Sequence, residues 1–235
     1  MKKKIEKINK LLIQHFGIPS RAKKNPTPLD AIIGTILSQN TNDKNSYQAY
    51  RNLKDNFNNW DELSLLKPLQ IEKYIKVAGL GKQKSKAIYE LLQSLKKKEK
   101  SVSLDHIKTK SDTEILDELT SYNGVGVKTA SCVLLFSLER NICPVDTHVH
   151  RTLNRIGIVK TNAPEKTFYE ILNKIPDNSA HSFHTNLIRL GREICKPANP
   201  NCSSCPLLKI CKFDDKNLNP RPNPKTIDFM LLDNL

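Results

Sequence analysis

Four cysteines stand at positions 195, 202, 205 and 211, a C-x6-C-x2-C-x5-C array. Four thiolates within 17 residues can surround one metal centre with no help from the rest of the fold. A zinc knuckle usually shows two close pairs, and here only Cys202 and Cys205 are close. The wider outer gaps suit an iron–sulfur cube, where each thiolate takes a different iron. Spacing alone leaves zinc open. Cys132 and Cys143 are isolated among apolar neighbours and read as small core residues.

A second chemistry centres on Asn123-Gly124-Val125-Gly126-Val127-Lys128. Glycines on both sides of Val125 let the backbone turn sharply and keep side chains away from its N–H groups. Where such a turn opens a helix, those amides are unpaired and lie at the positive end of the dipole, so a phosphate oxygen fits there. Contacts of that kind set position on a nucleic-acid backbone and read no base. Most glycine turns between helices are purely structural, and most lysines on a basic protein are surface cations. Lys128, however, falls in the first turn of the next helix, where the dipole and partial burial both disfavour an ammonium and favour a nucleophilic amine. Asp146, in Pro144-Val-Asp-Thr-His148, precedes another helix and reads first as its N-cap. A capping carboxylate is held rigid and ionised, which also suits it to stabilise developing positive charge.

The elements that must carry these residues are helical. Tyr47, Tyr50, Leu53 and Phe57 form one apolar stripe, and Ile88, Leu91, Leu92 and Leu95 form another. Ser111 with Glu114 predicts a capping box opening the helix around Ile115 and Leu119. Val149, Leu153 and Ile156 predict the buried face of the helix after Asp146. No strand or hairpin pattern stands out, so the expected class is all-α. The helix–glycine turn–helix pattern occurs twice, first at Val77-Ala-Gly79-Leu80-Gly81 and again at Asn123 to Gly126. Beyond residue 213 the composition changes. Asn217 to Pro224 should be extended, and Ile227 to Leu235 is a short acidic-apolar segment expected to dock on the protein's own surface.

Among the 235 residues, 38 Lys and Arg face 24 Asp and Glu, a formal net charge of +14. Such a balance points to a polyanionic partner, because lysines that displace counterions from phosphates gain affinity. A merely lysine-rich proteome would also produce part of it. Met1-Lys-Lys-Lys4 is not followed by an apolar run but by Ile5, Ile8, Leu12 and Ile13 at helical spacing, and no stretch approaches the roughly 20 apolar residues of a membrane span. The expectation is an intracellular, monomeric protein with reduced thiols.

Taken in order, these motifs resemble those of the helix-hairpin-helix DNA glycosylases, endonuclease III in particular, over about residues 28 to 212. The family hairpin Leu-Pro-Gly-Val-Gly-x-Lys-Thr-Ala appears as Tyr122 to Ala130, the Val-Asp-Thr-His motif as residues 145 to 148, and the Gly-Arg-x-x-Cys lead as Gly191 to Cys195. The resemblance implies two helical lobes: a six-helix barrel over 25–138, and a cluster domain from 1–24 plus 139–212, followed by a tail, 213–235. It implies one 4Fe-4S cluster on Cys195, Cys202, Cys205 and Cys211, and damaged or abasic double-stranded DNA bound across a cleft between the lobes. By position, Lys128 is the nucleophile and Asp146 the assisting carboxylate. Leu80 is a wedge into the duplex. Gly124, Val125, Gly126 and Lys196 grip the backbone, with Lys209 and Lys212 nearby.

The sequence departs from the family in two places. Tyr122-Asn123 replaces Leu-Pro, losing the fixed proline φ. In Leu37-Ser-Gln39-Asn40-Thr-Asn-Asp43, Asn40 stands where the family has a gap-filling Gln, with Gln39 beside it. A lysine together with a cluster implies a bifunctional glycosylase and AP lyase acting on oxidised pyrimidines. A relative preferring pyrimidine dimers or mismatched thymine is the alternative within the family. A non-catalytic, redox-sensing DNA-binding module is the alternative outside it.

Overall fold

The computed structural model describes residues 1–99, 101–219 and 230–235. Eleven α-helices occur among the described residues: α1 Lys2–Phe16, α2 Pro28–Ser38, α3 Asp43–Asn56, α4 Trp60–Ser64, α5 Pro68–Ile75, α6 Gly81–Glu99, α7 Asp112–Thr120, α8 Val127–Cys132, α9 Thr147–Ile156, α10 Pro164–Ile171 and α11 Ala180–Arg189. No strand occurs among them, as the all-α expectation requires. Nor is any helix among them long and apolar enough to cross a membrane.

The chain divides into two compact units, one of Met1–Ser20 with Arg140–Asp228 and one of Arg21–Glu139 with Phe229–Leu235. In the second unit α2 is central. Every residue from Pro28 to Leu37 is buried, which is why this helix reads as nearly continuous apolar sequence rather than as a stripe. Its start is fixed by Pro28 at the first helical position and by a Thr27–Asp30 capping box. Around it pack α3, α6 and α8, and Ala49, Tyr50 and Leu53 of α3 and Ile88 and Leu91 of α6 are buried. The Ser111–Glu114 capping box opens α7 as predicted, with the Ser111 amide donating to the Glu114 carboxylate at 2.8 Å. After α8 the ladder widens into a π turn over Val133–Ser137, closed by the Leu138 amide on the Val133 carbonyl at 3.1 Å.

Residues 230–235 also belong to this unit, with Met230 and Leu231 buried. A Cβ on Gly34 would stand 2.6 Å from Leu235 Cδ1, so the missing side chain in α2 makes room for the chain's last residue. The extended reading of 217–224 and the segment from 227 fall partly outside the described residues.

The first unit packs α1 against α11 and α9 against α10 and α11. Its core includes Ile5, Ile8, Leu12, Val149, Leu153, Phe168, Phe183 and Leu187. Arg189 joins α11 to the end of α1, donating to the Phe16 carbonyl at 2.9 Å with its guanidinium over the Phe16 ring. A second π turn, Leu190–Ile194, ends when the Cys195 amide reaches the Leu190 carbonyl at 2.7 Å. π turns concentrate at functional sites, and this one delivers the first cysteine of the array.

Candidate functional sites

In the first unit, Cys195, Cys202, Cys205 and Cys211 line one pocket with Arg155, Ile194, Pro200, Leu208, Phe213 and Lys216. Among the described residues, no three His, Cys, Asp or Glu side chains are arranged to hold a single metal ion. Burial pushes the Cys205 thiol up to about 12, and the other three cysteines raise it further; burial likewise raises Cys211. Cys205 and Cys211 so placed do not ionise readily alone, and a cationic centre would favour their thiolates.

Two arginines outside every motif of the sequence build the entrance to this loop. Arg151 and Arg155 lie one turn apart on α9. Arg151 donates to the carbonyls of Cys195 (3.1 Å) and Gly191 (2.9 Å), and Arg155 to those of Lys196 (2.7 Å) and Pro197 (2.8 Å). Arg155 also reaches the Cys195 sulfur at 3.5 Å and covers the Phe213 ring. Their i, i+4 spacing on the polar side of an otherwise apolar-faced helix was the available signal. Gly191 is required by close approach: a Cβ there would stand 2.8 Å from His148 Cβ. Burial, with Arg151 and Arg192 nearby, lowers the pKa of His148. Its Nδ1, 3.2 Å from Arg151 Nη2, serves as acceptor.

Asp146, also in the first unit, is the N-cap of α9, its carboxylate accepting from the Val149 amide at 2.8 Å. Two residues earlier the Pro144 carbonyl meets buried His184 at 2.9 Å. The motif is therefore held at both ends. Lys196, Lys209 and Lys212 are exposed. The Lys212 stem lies over Gly157, where a Cβ would stand 2.5 Å from Lys212 Cδ, and Gly157 ends α9 at φ +81°.

The glycine hairpin belongs to the second unit. Gly124 has φ +81°, a left-handed conformation that disfavours side chains, and its Cβ would stand 3.0 Å from that of Ala87 in α6. Gly126 differs. Its φ is −91°, and among the described residues nothing lies within 4 Å of where its Cβ would stand. Neither conformation nor packing calls for glycine there, so its effect is to leave the space before α8 open. Val125 is buried, its amide closing the turn on the Tyr122 carbonyl at 3.1 Å. Asn123, in place of the family proline, donates to Glu90 of α6 at 2.6 Å. A side-chain tether thus stands where a fixed φ would have been. Lys128 occupies the second position of α8, half-buried, and its ammonium has no hydrogen-bond or ion-pair partner among the described residues.

The earlier glycine turn lies in the same unit. Gly79 and Leu80 both have positive φ, +69° and +49°, and Leu80 projects with 46 % of its surface exposed. Gln39 and Asn40, after α2, are exposed, and Asn40 too is left-handed at φ +52°.

The model of the HhH-GPD superfamily of base excision DNA repair proteins matches residues 33–177. Endonuclease III of Thermotoga maritima is 34 % identical over 209 residues, covering 89 % of this chain and 92 % of that protein. Endonuclease III of Sulfolobus acidocaldarius is 30 % identical, covering 77 % and 80 %. Among solved structures, a non-covalent endonuclease III–DNA complex has a TM-score of 0.76 at 23 % identity, covering 90 % of this chain and 95 % of that one. A thermostable thymine-DNA glycosylase has 0.71 at 18 %, covering 90 % and 96 %; these two likenesses are of fold. The chain belongs to the HhH-GPD superfamily of base excision DNA repair proteins as an endonuclease III homologue, a DNA glycosylase with AP lyase activity.

Proposed function

We propose that this glycosylase removes oxidised pyrimidines from double-stranded DNA and nicks the resulting site by β-elimination, with Lys128 as nucleophile. The observation that carries this reading is the hairpin. An amine without a partner among the described residues sits half-buried two residues past Gly126, whose missing side chain leaves the helix N-terminus open to a phosphate. A gripped backbone beside a poised amine is the arrangement that attack on a sugar carbon needs.

The hairpin amides of residues 124 and 126 and the exposed Lys196 hold phosphates, while the Val125 amide keeps the turn closed. Leu80 fills the space left by the extruded nucleotide, aided by Asn40 or Gln39, an unstacking least expensive at a lesion. After giving up one proton, Lys128 Nζ donates its lone pair to C1′. The base leaves with the glycosidic electron pair, and Asp146 stabilises positive charge at the sugar. Loss of a second proton from nitrogen and opening of the sugar ring give a Schiff base. That imine acidifies the C2′ proton, whose removal expels the 3′ phosphate.

Cys195, Cys202, Cys205 and Cys211 would hold one 4Fe-4S cluster. Four cysteines lining one pocket, with outer spacings wider than the two close pairs of a zinc knuckle, favour the cube over zinc. When bound, the group supplies a metal cross-link at four points of the loop that carries Lys196; base removal uses none of it. The test is a panel of duplexes carrying thymine glycol, 8-oxoguanine, uracil or an abasic site. Thymine glycol should be excised fastest and the abasic strand nicked; faster release of 8-oxoguanine or uracil overturns the lesion class. Absorption in the iron–sulfur charge-transfer region, with roughly four iron atoms per chain, tests the cluster, and zinc in place of iron refutes it.

A further inference from the structure

Two segments of the second unit end at one buried cation. α2 finishes at Ser38, and the 3-10 turn Lys76–Ala78 finishes just before Gly79. Helix ends leave carbonyls without intrahelical partners. Here the carbonyls of Leu37 and Ala78 each accept from Lys84 Nζ at 2.8 Å. The Lys84 side chain is 2 % exposed, on the face of α6 that also carries Ile88, Leu91 and Leu95. Among the described residues no carboxylate pairs with it, and burial lowers its amine to about 8.

The residues just past each carbonyl give the contact its meaning. Gln39 and Asn40 come two and three residues after Leu37, and Leu80 comes two residues after Ala78. Asn40 and Leu80 both hold left-handed backbone, φ +52° and +49°, which residues other than glycine keep only where the surroundings hold them. An apolar side chain could fill the space Lys84 occupies without burying a charge. Only a multiple donor can fasten two carbonyls from separate segments to one point.

We propose that Lys84 is a positioning residue that locks the Gln39–Asn40 segment and the Leu80 turn together, so that both enter the duplex as a single device. The inference rests on the DNA-entry roles proposed above. Without the ammonium each segment would be held separately, and entry of one would no longer bring in the other.

The experiment uses full-length protein and a duplex carrying a tetrahydrofuran abasic analogue, which supports no chemistry, with 2-aminopurine beside it as a reporter of unstacking. Wild type should raise 2-aminopurine emission at saturation. Lys84→Met should shift that equilibrium back about tenfold, the order expected for losing hydrogen bonds to a charged group. Its loss of borohydride trapping on abasic duplex should exceed its loss on a single-stranded abasic oligonucleotide by a similar factor. Lys84→Gln, which keeps two N–H donors on a shorter stem, should be intermediate and carries the test if the Met variant does not fold. Leu95→Ala, a core truncation farther along the same helix, controls for destabilisation measured below both melting temperatures. Wild-type emission in Lys84→Met or Lys84→Gln, or an equal fall in Leu95→Ala, overturns the proposal. So does a wild type that traps abasic DNA without raising emission. A wild type that traps on no abasic substrate instead overturns the functional reading on which the proposal stands.

Discussion

The turn at Gly79–Leu80 and the turn at Gly124–Gly126 share a sequence pattern and both touch α6, yet they expose different things. The first presents a side chain, Leu80, and is held from inside by the Lys84 ammonium on the Ala78 carbonyl. The second presents bare backbone before α8 and is held from outside, through Asn123 on Glu90 and Gly124 against Ala87. A side chain can enter a base stack, whereas unpaired amides can only grip phosphate. In the function proposed above, the two glycine turns would divide the work of DNA engagement, and the difference lies in which atoms the glycines uncover.

The largest effect that would break this division is on Leu80. Leu80→Ala should lower excision from duplex DNA about a hundredfold, since wedging offsets an unstacking of a few kcal/mol. Its melting temperature should barely move, because the side chain is exposed. Equal losses on single-stranded and duplex substrates would show that Leu80 is not a wedge.

Next comes a pH effect unique to the first turn. The folded pKa of Lys84 is lowered to about 8 by burial, while in the unfolded chain it returns to about 10.4. Between those values the unfolded chain binds more protons. The stability this group contributes therefore rises with pH, is fully present above the unfolded value, and is lost as pH falls through about 8. Denaturant titrations from pH 7.5 to 10.5 should show this rise in wild type and a flatter curve in Lys84→Met. Parallel curves would mean the ammonium is not buried.

The glycines of the second turn sharpen the comparison further. Gly124→Ala forces an L residue to φ +81° against Ala87 and should destabilise by about 1–2 kcal/mol. Gly126→Ala should leave stability within about 0.5 kcal/mol yet weaken binding to undamaged DNA severalfold, read by anisotropy. The reverse ranking would assign Gly126 to packing and remove the open phosphate site. Asn123→Ala is the smallest case, about 0.5–1 kcal/mol for one exposed tether, checked by the denaturation midpoint.

Much of this is legible in the chain. The Ser111–Glu114 box, the stripe from Ile88 to Leu95 and the buried Cys132 and Cys143 follow from spacing and residue type, and each appears where expected. Lys84 is not, because Lys82, Lys84 and Lys86 look like one solvated basic run. Yet it lies four residues before Ile88 and seven before Leu91, on the apolar face, and that phase was the signal. The arginine docking of the cysteine loop is hidden for a different reason. Arg151 and Arg155 bind carbonyls some 40 residues away, and carbonyl acceptors leave no mark in side-chain sequence. The two π turns are illegible too, since neither Val133–Ser137 nor Leu190–Ile194 carries a residue type that demands a wider ladder.

The proposed nucleophile is the amine of Lys128, after the second turn. Borohydride reduction during reaction with an abasic duplex, then digestion and mass analysis of the cross-linked peptide, tests it directly. A covalent complex is expected whose DNA-derived mass maps to Lys128 and which disappears in Lys128→Ala, while that variant still binds the duplex. A cross-link on another residue, or undiminished trapping by Lys128→Ala, would contradict it.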